Sequence, residues 1–159
     1  MTDADLRFLR EAIALSAQAA RGSAQGPFGA VVVRGGEVVG RGGNQVVSIP
    51  DPTAHAEVMA IRAAAKHLGT HDLSGCSIYA SCEPCPMCLA AIHWARLDRI
   101  FFAASRHDAA GVGFDDERFR KALLLNPDGV GLIPATQALR EEARGALAAW
   151  LRNPDRIPY

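Results

Sequence analysis

Two short segments constrain this chain more than any others in it. One is Thr53-Ala54-His55-Ala56-Glu57, and the other is Cys82-Glu83-Pro84-Cys85-Pro86-Met87-Cys88. Together they offer one imidazole and two thiols, the ligand types that Zn2+ takes in a tetrahedron, and a catalytic site leaves the fourth position to water. His55, Cys85 and Cys88 are the three ligands. Cys85 and Cys88 stand three apart and share a face of a helix that opens around Pro84 and Pro86. Proline suits that entrance because the N–H it lacks had no partner there. The positive end of the helix lowers the thiol pKa values and favours thiolates. His55 opens a second helix, running from about Thr53 to Leu68, with Thr53 as its N-cap after Pro50-Asp51-Pro52. Glu57 lies two residues beyond His55, an offset that in mid-helix turns two side chains to nearly opposite sides. Both can face one metal only if His55 sits at the mouth of the helix.

Glu57 is then not a ligand. Zinc lowers the pKa of a bound water to about 7, so a neighbouring carboxylate can take its proton and pass it to a leaving group, as general base and then general acid. Plainer readings exist for each half. His-x-Glu alone marks a helix start, and Cys-x-x-Cys alone fits a redox pair or half of a structural zinc site. Cys82 could close such a structural site as a fourth ligand. The run Cys82, Cys85, Cys88 lacks the continuation of an iron–sulfur segment. The two motifs in this order favour one catalytic Zn2+ per chain, with Cys82 an unliganded core or pocket-lining thiol.

The 159 residues fit a single domain over residues 1–159, and 49% hydrophobic with 21% charged residues is an ordinary soluble composition. Lys+Arg and Asp+Glu are 17 each, so the formal net charge is zero, a poor footprint for a nucleic-acid binder. Residues 1–20 carry Asp3, Asp5, Arg7, Arg10 and Glu11, so no secretory signal is expected, and no apolar run is long enough to span a bilayer. All four cysteines fall within residues 76–88, which suits a metal site in a reducing compartment. A cytoplasmic location is expected.

Along the chain, residues 3–21 follow a helical period, opened by a Thr2/Asp5 capping box. Ala30–Arg34 and Glu37–Gly40 read as strands joined at Gly35-Gly36. Asn44 follows in a polar loop. Its amide offers a donor and an acceptor to the edge of a heterocycle, although a turn role is the plainer reading. A third strand, Cys76–Ser81, delivers the chain to Cys85, placing the metal at a strand's carboxyl end. The cysteine helix continues to about Arg96, and Arg99–Ala104 reads as a buried fourth strand. Residues 105–116 read as a loop ending Gly113-Phe114-Asp115-Asp116, which is either a site element or a carboxylate-stabilised helix start. A short helix over 117–125, a turn at Asn126–Gly129 and a short strand within Val130–Ala135 follow. The last helix runs from about Thr136 to Leu151, with Leu139, Ala143, Leu147, Trp150 and Leu151 on one stripe.

With these residues in hand, the chain resembles the cytidine-deaminase-like zinc-dependent deaminases, and among them the bacterial guanine deaminases. The resemblance is carried by Gly26–Val31, Asp51–Glu57, Ser81–Cys88, Trp94–Arg96, Gly113–Asp116 and the terminal Tyr159. It implies an α/β fold, a three-layer α-β-α arrangement around a mixed central sheet of about five strands. It implies hydrolytic deamination of a free purine base, guanine to xanthine, within purine metabolism, with Glu57 as the proton shuttle. Asn44 and Asp115 or Asp116 would hold the purine, with Asp116 the preferred carboxylate, while Phe28 and Trp94 would wall the pocket. The same resemblance implies a homodimer in which Tyr159 closes a pocket, the partner's if the C-terminal segment is exchanged. Two departures are a single asparagine at Asn44, where relatives tend to carry a pair, and residues 121–135, which match nothing well. The competing readings are the same chemistry on guanosine, on an aminated triazine or on another aminopurine; a tRNA adenosine deaminase, disfavoured by the balanced charge; and a non-catalytic zinc-stabilised interaction domain.

Overall fold

Residues 1–22, 24–125 and 136–157 are described in a computed structural model of the chain, with Arg118, Leu124 and Leu125 described by their backbone alone. The strand expected within Val130–Ala135, the turn at Asn126–Gly129 and Tyr159 lie outside these residues. The chain divides into two compact units, Met1–Glu117 and Arg118–Tyr159.

The first unit contains α1 (Asp3–Ala19), β1 (Gly29–Arg34), β2 (Glu37–Gly43), α2 (Ala56–Leu68), β3 (Cys76–Cys82), α3 (Pro86–Trp94), β4 (Arg99–Ala104) and α4 (Arg106–Gly111). Thr2 caps α1 through the expected capping box with Asp5. Gly35 and Gly36 both hold positive φ, at 59° and 86°, the conformation that a tight hairpin turn requires. The strands form one mixed sheet in the order β2-β1-β3-β4: β1 runs antiparallel to both neighbours, and β3 runs parallel to β4.

Strand alternation sorts the core into two layers. Ala30, Val32, Ile78 and Ala80 face Ala56, Ala60 and Ala64 of α2 and Ile92 of α3. Val31, Val33 and Tyr79 face the other way, onto Phe8 and Leu9 of α1. The α-β-α arrangement follows directly. Ile78 and Ile92 are fully buried, and burying a side chain of that size contributes about 1.5–3 kcal/mol. The alanines of α2 let it approach closely, and β2 answers with glycine. A Cβ on Gly42 would strike the Ala56 carbonyl oxygen and the Ala60 nitrogen, and one on Gly40 would strike the same turns one step further along. Backbone therefore packs on backbone, which presses the first turn of α2 onto the sheet.

Four local expectations are corrected. α2 starts at Ala56 with His55, not Thr53, as its N-cap. Asp51 Oδ1 accepts from both the Thr53 N–H, at 2.8 Å, and the Thr53 hydroxyl, at 2.7 Å, so that residue completes a turn ahead of the helix. β4 is not buried. It lies at the end of the strand order among the described residues, and Phe102 is 47% exposed. The 105–116 segment is not all loop, because Ser105 and Asp108 form a capping box that opens α4. Finally, α3 stops at Trp94, and Arg96 adopts a left-handed φ of 57° beyond it.

In the chain's last part, α5 (Glu117–Leu125) and α6 (Arg140–Arg152) occupy the expected segments. α6 starts later than the pattern implies because Leu139 sits at a left-handed φ of 55°. Leu147, Trp150 and Leu151 are exposed on it. Among the described residues, no helix is long and apolar enough to cross a membrane.

Candidate active site

Each ligand is placed by a helix start. His55 is the N-cap of α2, with extended φ and ψ of −69° and 154°. Cys85 is the N-cap of α3, at −67° and 168°, with Pro86 in the first turn. An N-cap lies off the helical track, so its side chain can meet the residue three positions on. That is how Cys85 reaches Cys88. It also frees His55 from the mid-helix geometry that would have turned it away from Glu57.

The His55 Nδ1 stands 3.6 Å from Cys85 Sγ and 3.5 Å from Cys88 Sγ. A tetrahedral zinc with Zn–S of about 2.3 Å and Zn–N of about 2.05 Å sets nitrogen and sulfur ~3.6 Å apart. The three groups are therefore already spaced as zinc ligands, with Nδ1 as the coordinating nitrogen. Among the described residues, His55, Cys85 and Cys88 are the cluster of His, Cys, Asp and Glu able to hold a metal. Cys82 stays outside the triad. It is buried, its thiol donates to the Ser105 carbonyl at 3.5 Å, and burial pushes its pKa up, as expected of an unliganded thiol.

The electrostatics suit a cation. The Cys88 thiol donates to Cys85, and this contact, assisted by His55, lowers the Cys85 pKa to about 4. Cys88 is pushed up by the same hydrogen bond and by burial. His55 is raised, chiefly by its hydrogen bond with Cys85. Glu57 is 8% exposed, and burial raises its carboxyl above the ordinary range. Cys88 also hydrogen-bonds to it, so the carboxylate reaches the ligand cluster.

Beside this cluster lies a cradle built from the 26–29 loop. Asn44 is 6% exposed. Its Oδ1 accepts from the Gly26 and Val46 N–H groups, both at 3.3 Å, which fixes the amide and leaves Nδ2 as its donor. The Asn44 N–H donates to the Phe28 carbonyl at 3.1 Å. The Phe28 ring meets Phe114 edge-on, with centroids 4.9 Å apart, so the Gly113–Asp116 segment and the Asn44 loop are brought together. Asp115 Oδ1 accepts from the Glu117 N–H at 2.9 Å, which is the helix-start role, whereas Asp116 is half-buried. Trp94 is not brought to the ligands within this chain: it ends α3 six residues past Cys88 and is 69% exposed.

Sequence reasoning missed the supports of this cradle. The buried Ser81 hydroxyl accepts from the Gly29 N–H at 3.0 Å, and the Ser16 hydroxyl donates to the Pro27 carbonyl at 2.7 Å. Both partners are distant in sequence, so no local pattern marks them.

Residues 2–104 match the cytidine and deoxycytidylate deaminase zinc-binding region. The guanine deaminase of Bacillus subtilis is 46% identical over 152 residues, covering 96% of this chain and 97% of that protein. An X-ray structure of guanine deaminase from that organism superposes with a TM-score of 0.92 at 42% identity, over 100% of this chain and 99% of its own. A guanine deaminase structure from Nitrosomonas europaea gives a TM-score of 0.66 at 29% identity, over 89% and 81%. Solved relatives at 31% and 28% identity hold 8-azaguanine and 2,6-diaminopurine. A tRNA-specific adenosine deaminase of Aquifex aeolicus is 41% identical, but over 54% of this chain and 57% of its own. A chain that matches this zinc-binding region over residues 2–104 and resembles a guanine deaminase over 96% of its length belongs to the zinc-dependent aminohydrolases of the cytidine and deoxycytidylate deaminase type.

Proposed function

We propose that this protein is a guanine deaminase, hydrolysing guanine to xanthine and ammonia. The observation that carries the reading is a ligand triad set at zinc spacing with a buried carboxylate, Glu57, against it. Full-length similarity to a guanine deaminase narrows the substrate.

Zinc, when bound by His55, Cys85 and Cys88, supplies a Lewis acid that brings a water's pKa to about 7. Glu57 takes a proton from the attacking water on its carboxylate. Its raised proton affinity suits it to hold that proton and deliver it to N3 of the base, then to take the second proton from the hydroxyl added at C2 and give it to the leaving amine. Water adds at C2, the C2–N bond breaks and ammonia departs. Asn44 orients the base through Nδ2, whose direction is fixed by the two backbone bonds to Oδ1. Phe28 offers its ring as one wall, and Asp116 accepts from N–H groups of the purine, with Asp115 stabilising the start of α5 beside it. The cradle around Asn44 and Phe28 is held by backbone and buried hydroxyls, so it is rigid before substrate arrives, which lowers the entropic cost of orientation.

The protein acts as a cytoplasmic homodimer. The exposed Trp94 and Phe102 of the first unit support an apolar contact between copies. In that dimer the exposed Trp94 borders the partner's pocket, and the zinc ligands and Glu57 all lie within residues 1–117. Sedimentation of a stable monomer at micromolar concentration would remove the dimer reading.

The substrate assignment is tested by ammonia release from guanine, guanosine, adenine, cytosine, cytidine and ammeline. We expect kcat/KM for guanine to exceed every other by at least about tenfold, a difference of about 1.4 kcal/mol. Equal or faster turnover of guanosine or ammeline would reassign the substrate while leaving the zinc centre intact.

A further inference from the structure

The turn that delivers Cys85 is fastened to a second turn further along the chain. β3 ends at Cys82, and the Cys82–Cys85 segment runs beside Ala104–Arg106, where β4 passes into α4. The parallel ladder makes its final pair at Cys82 and Ala104. Beyond it, the Glu83 N–H donates to the Ala104 carbonyl at 2.9 Å. The Glu83 carboxylate then takes two bonds from Arg106: Oε2 accepts the backbone N–H at 3.1 Å, and Oε1 accepts Nη1 at 3.4 Å. The carboxylate side chain is 22% exposed and the arginine 40%, so the pair is shielded more than a surface contact. Among the described residues, Arg106 Nε is buried without a hydrogen-bond partner, an unfavourable placement that the fold retains. Neither residue belongs to either core cluster. Their bonds act on the stretch from which the Cys85 ligand hangs.

We infer that Glu83 and Arg106 are positioning residues of the zinc centre. They hold the Cys82–Cys85 turn so that Cys85 Sγ stands opposite His55 Nδ1. Groups that orient metal ligands in this way set metal affinity by about 10- to 100-fold. The inference requires the zinc centre alone and is independent of which base is deaminated.

The test is zinc affinity of the full chain, by chelator competition, for wild type, Glu83→Ala, Arg106→Ala and Arg106→Lys. The thiolate charge-transfer and d–d bands of the Co2+-loaded proteins are recorded alongside. Glu83→Ala should bind zinc about 10- to 100-fold more weakly and shift the cobalt bands. Arg106→Ala should lose less, since its backbone N–H still reaches Glu83, and Arg106→Lys should recover most of that loss. A clamp serving stability alone would lower the melting temperature and leave both metal readouts unchanged. Zinc affinity within about twofold of wild type, with unchanged cobalt bands, would overturn the inference. If Glu83→Ala does not fold, Glu83→Gln and Arg106→Ala are judged by the same two criteria.

Discussion

At the scale of single residues, the site depends on where a few polar groups are buried and what holds them. Glu57 and Asn44 are the clearest cases. One is a carboxylate raised by burial beside metal ligands, and the other an amide whose oxygen is committed to backbone N–H groups. The Glu57 role was legible in the sequence, because His-x-Glu paired with Cys-x-x-Cys carries its own chemistry. The fixing of Asn44 by Gly26 was not, since a hydrogen bond spanning 18 residues leaves no local trace. Asp5 shows the same limit. Its capping role with Thr2 could be read from spacing, but its 2.7 Å bond from the Tyr79 hydroxyl spans 74 residues. The Thr2 N–H, ahead of that hydroxyl, lowers the Asp5 pKa from 3.8 to about 2, while burial and Asp5 together push Tyr79 up to about 12. A carboxyl depressed in the folded state stabilises above its unfolded pKa, and that contribution fades as pH falls through the folded value. The melting-temperature advantage of wild type over Asp5→Asn should therefore be constant above about pH 5 and shrink between about pH 4 and 2. An advantage that persists unchanged down to pH 2 would count against this contact.

At the scale of elements, two contacts decide where the chemistry sits. The first is the backbone-to-backbone packing of β2 on α2 through Gly40 and Gly42. Gly42→Ala should destabilise the fold by about 1–3 kcal/mol, as overpacking does, read as a lower denaturant midpoint at unchanged m-value. A neutral substitution would show that α2 can step back from the sheet. The second is the Phe28–Phe114 pair. An edge-on aromatic contact is worth about 0.5–1.5 kcal/mol, so Phe114→Ala should raise KM by about 2- to 10-fold with kcat and zinc content little changed. A fall in kcat at constant KM would place Phe114 elsewhere in the mechanism. The helices and strands of the first unit are readable because β1 and β3 are short, largely apolar runs buried on both faces and bounded by turn residues, and α2 carries its alanines on one face. What failed were termini and edges. Thr53 is an excellent N-cap by type, but Asp51 captures it first. Arg99–Ala104 is apolar enough to look buried, yet strand order, a property of the assembled sheet, puts it at one side. The Ser105/Asp108 box that opens α4 is present in the sequence but stands in a Gly- and Ala-containing stretch too short to show a helical period.

At the scale of the molecule, the metal triad brings two distant parts of the chain into one site. His55 comes from the start of α2, Cys85 and Cys88 from the start of α3, and the sheet between them supplies the platform. The ligands stand at zinc spacing, each held there by a helix start. This centre, with Glu57 as its proton carrier, converts guanine to xanthine. The most direct measurement follows xanthine and ammonia together from guanine, using zinc-loaded wild type and zinc-loaded Glu57→Gln. Wild type should form the two products in equal amounts, and Glu57→Gln should retain zinc but turn over at least about 100-fold more slowly. Wild-type-like turnover by Glu57→Gln, or no xanthine from the zinc-loaded wild type, would contradict it.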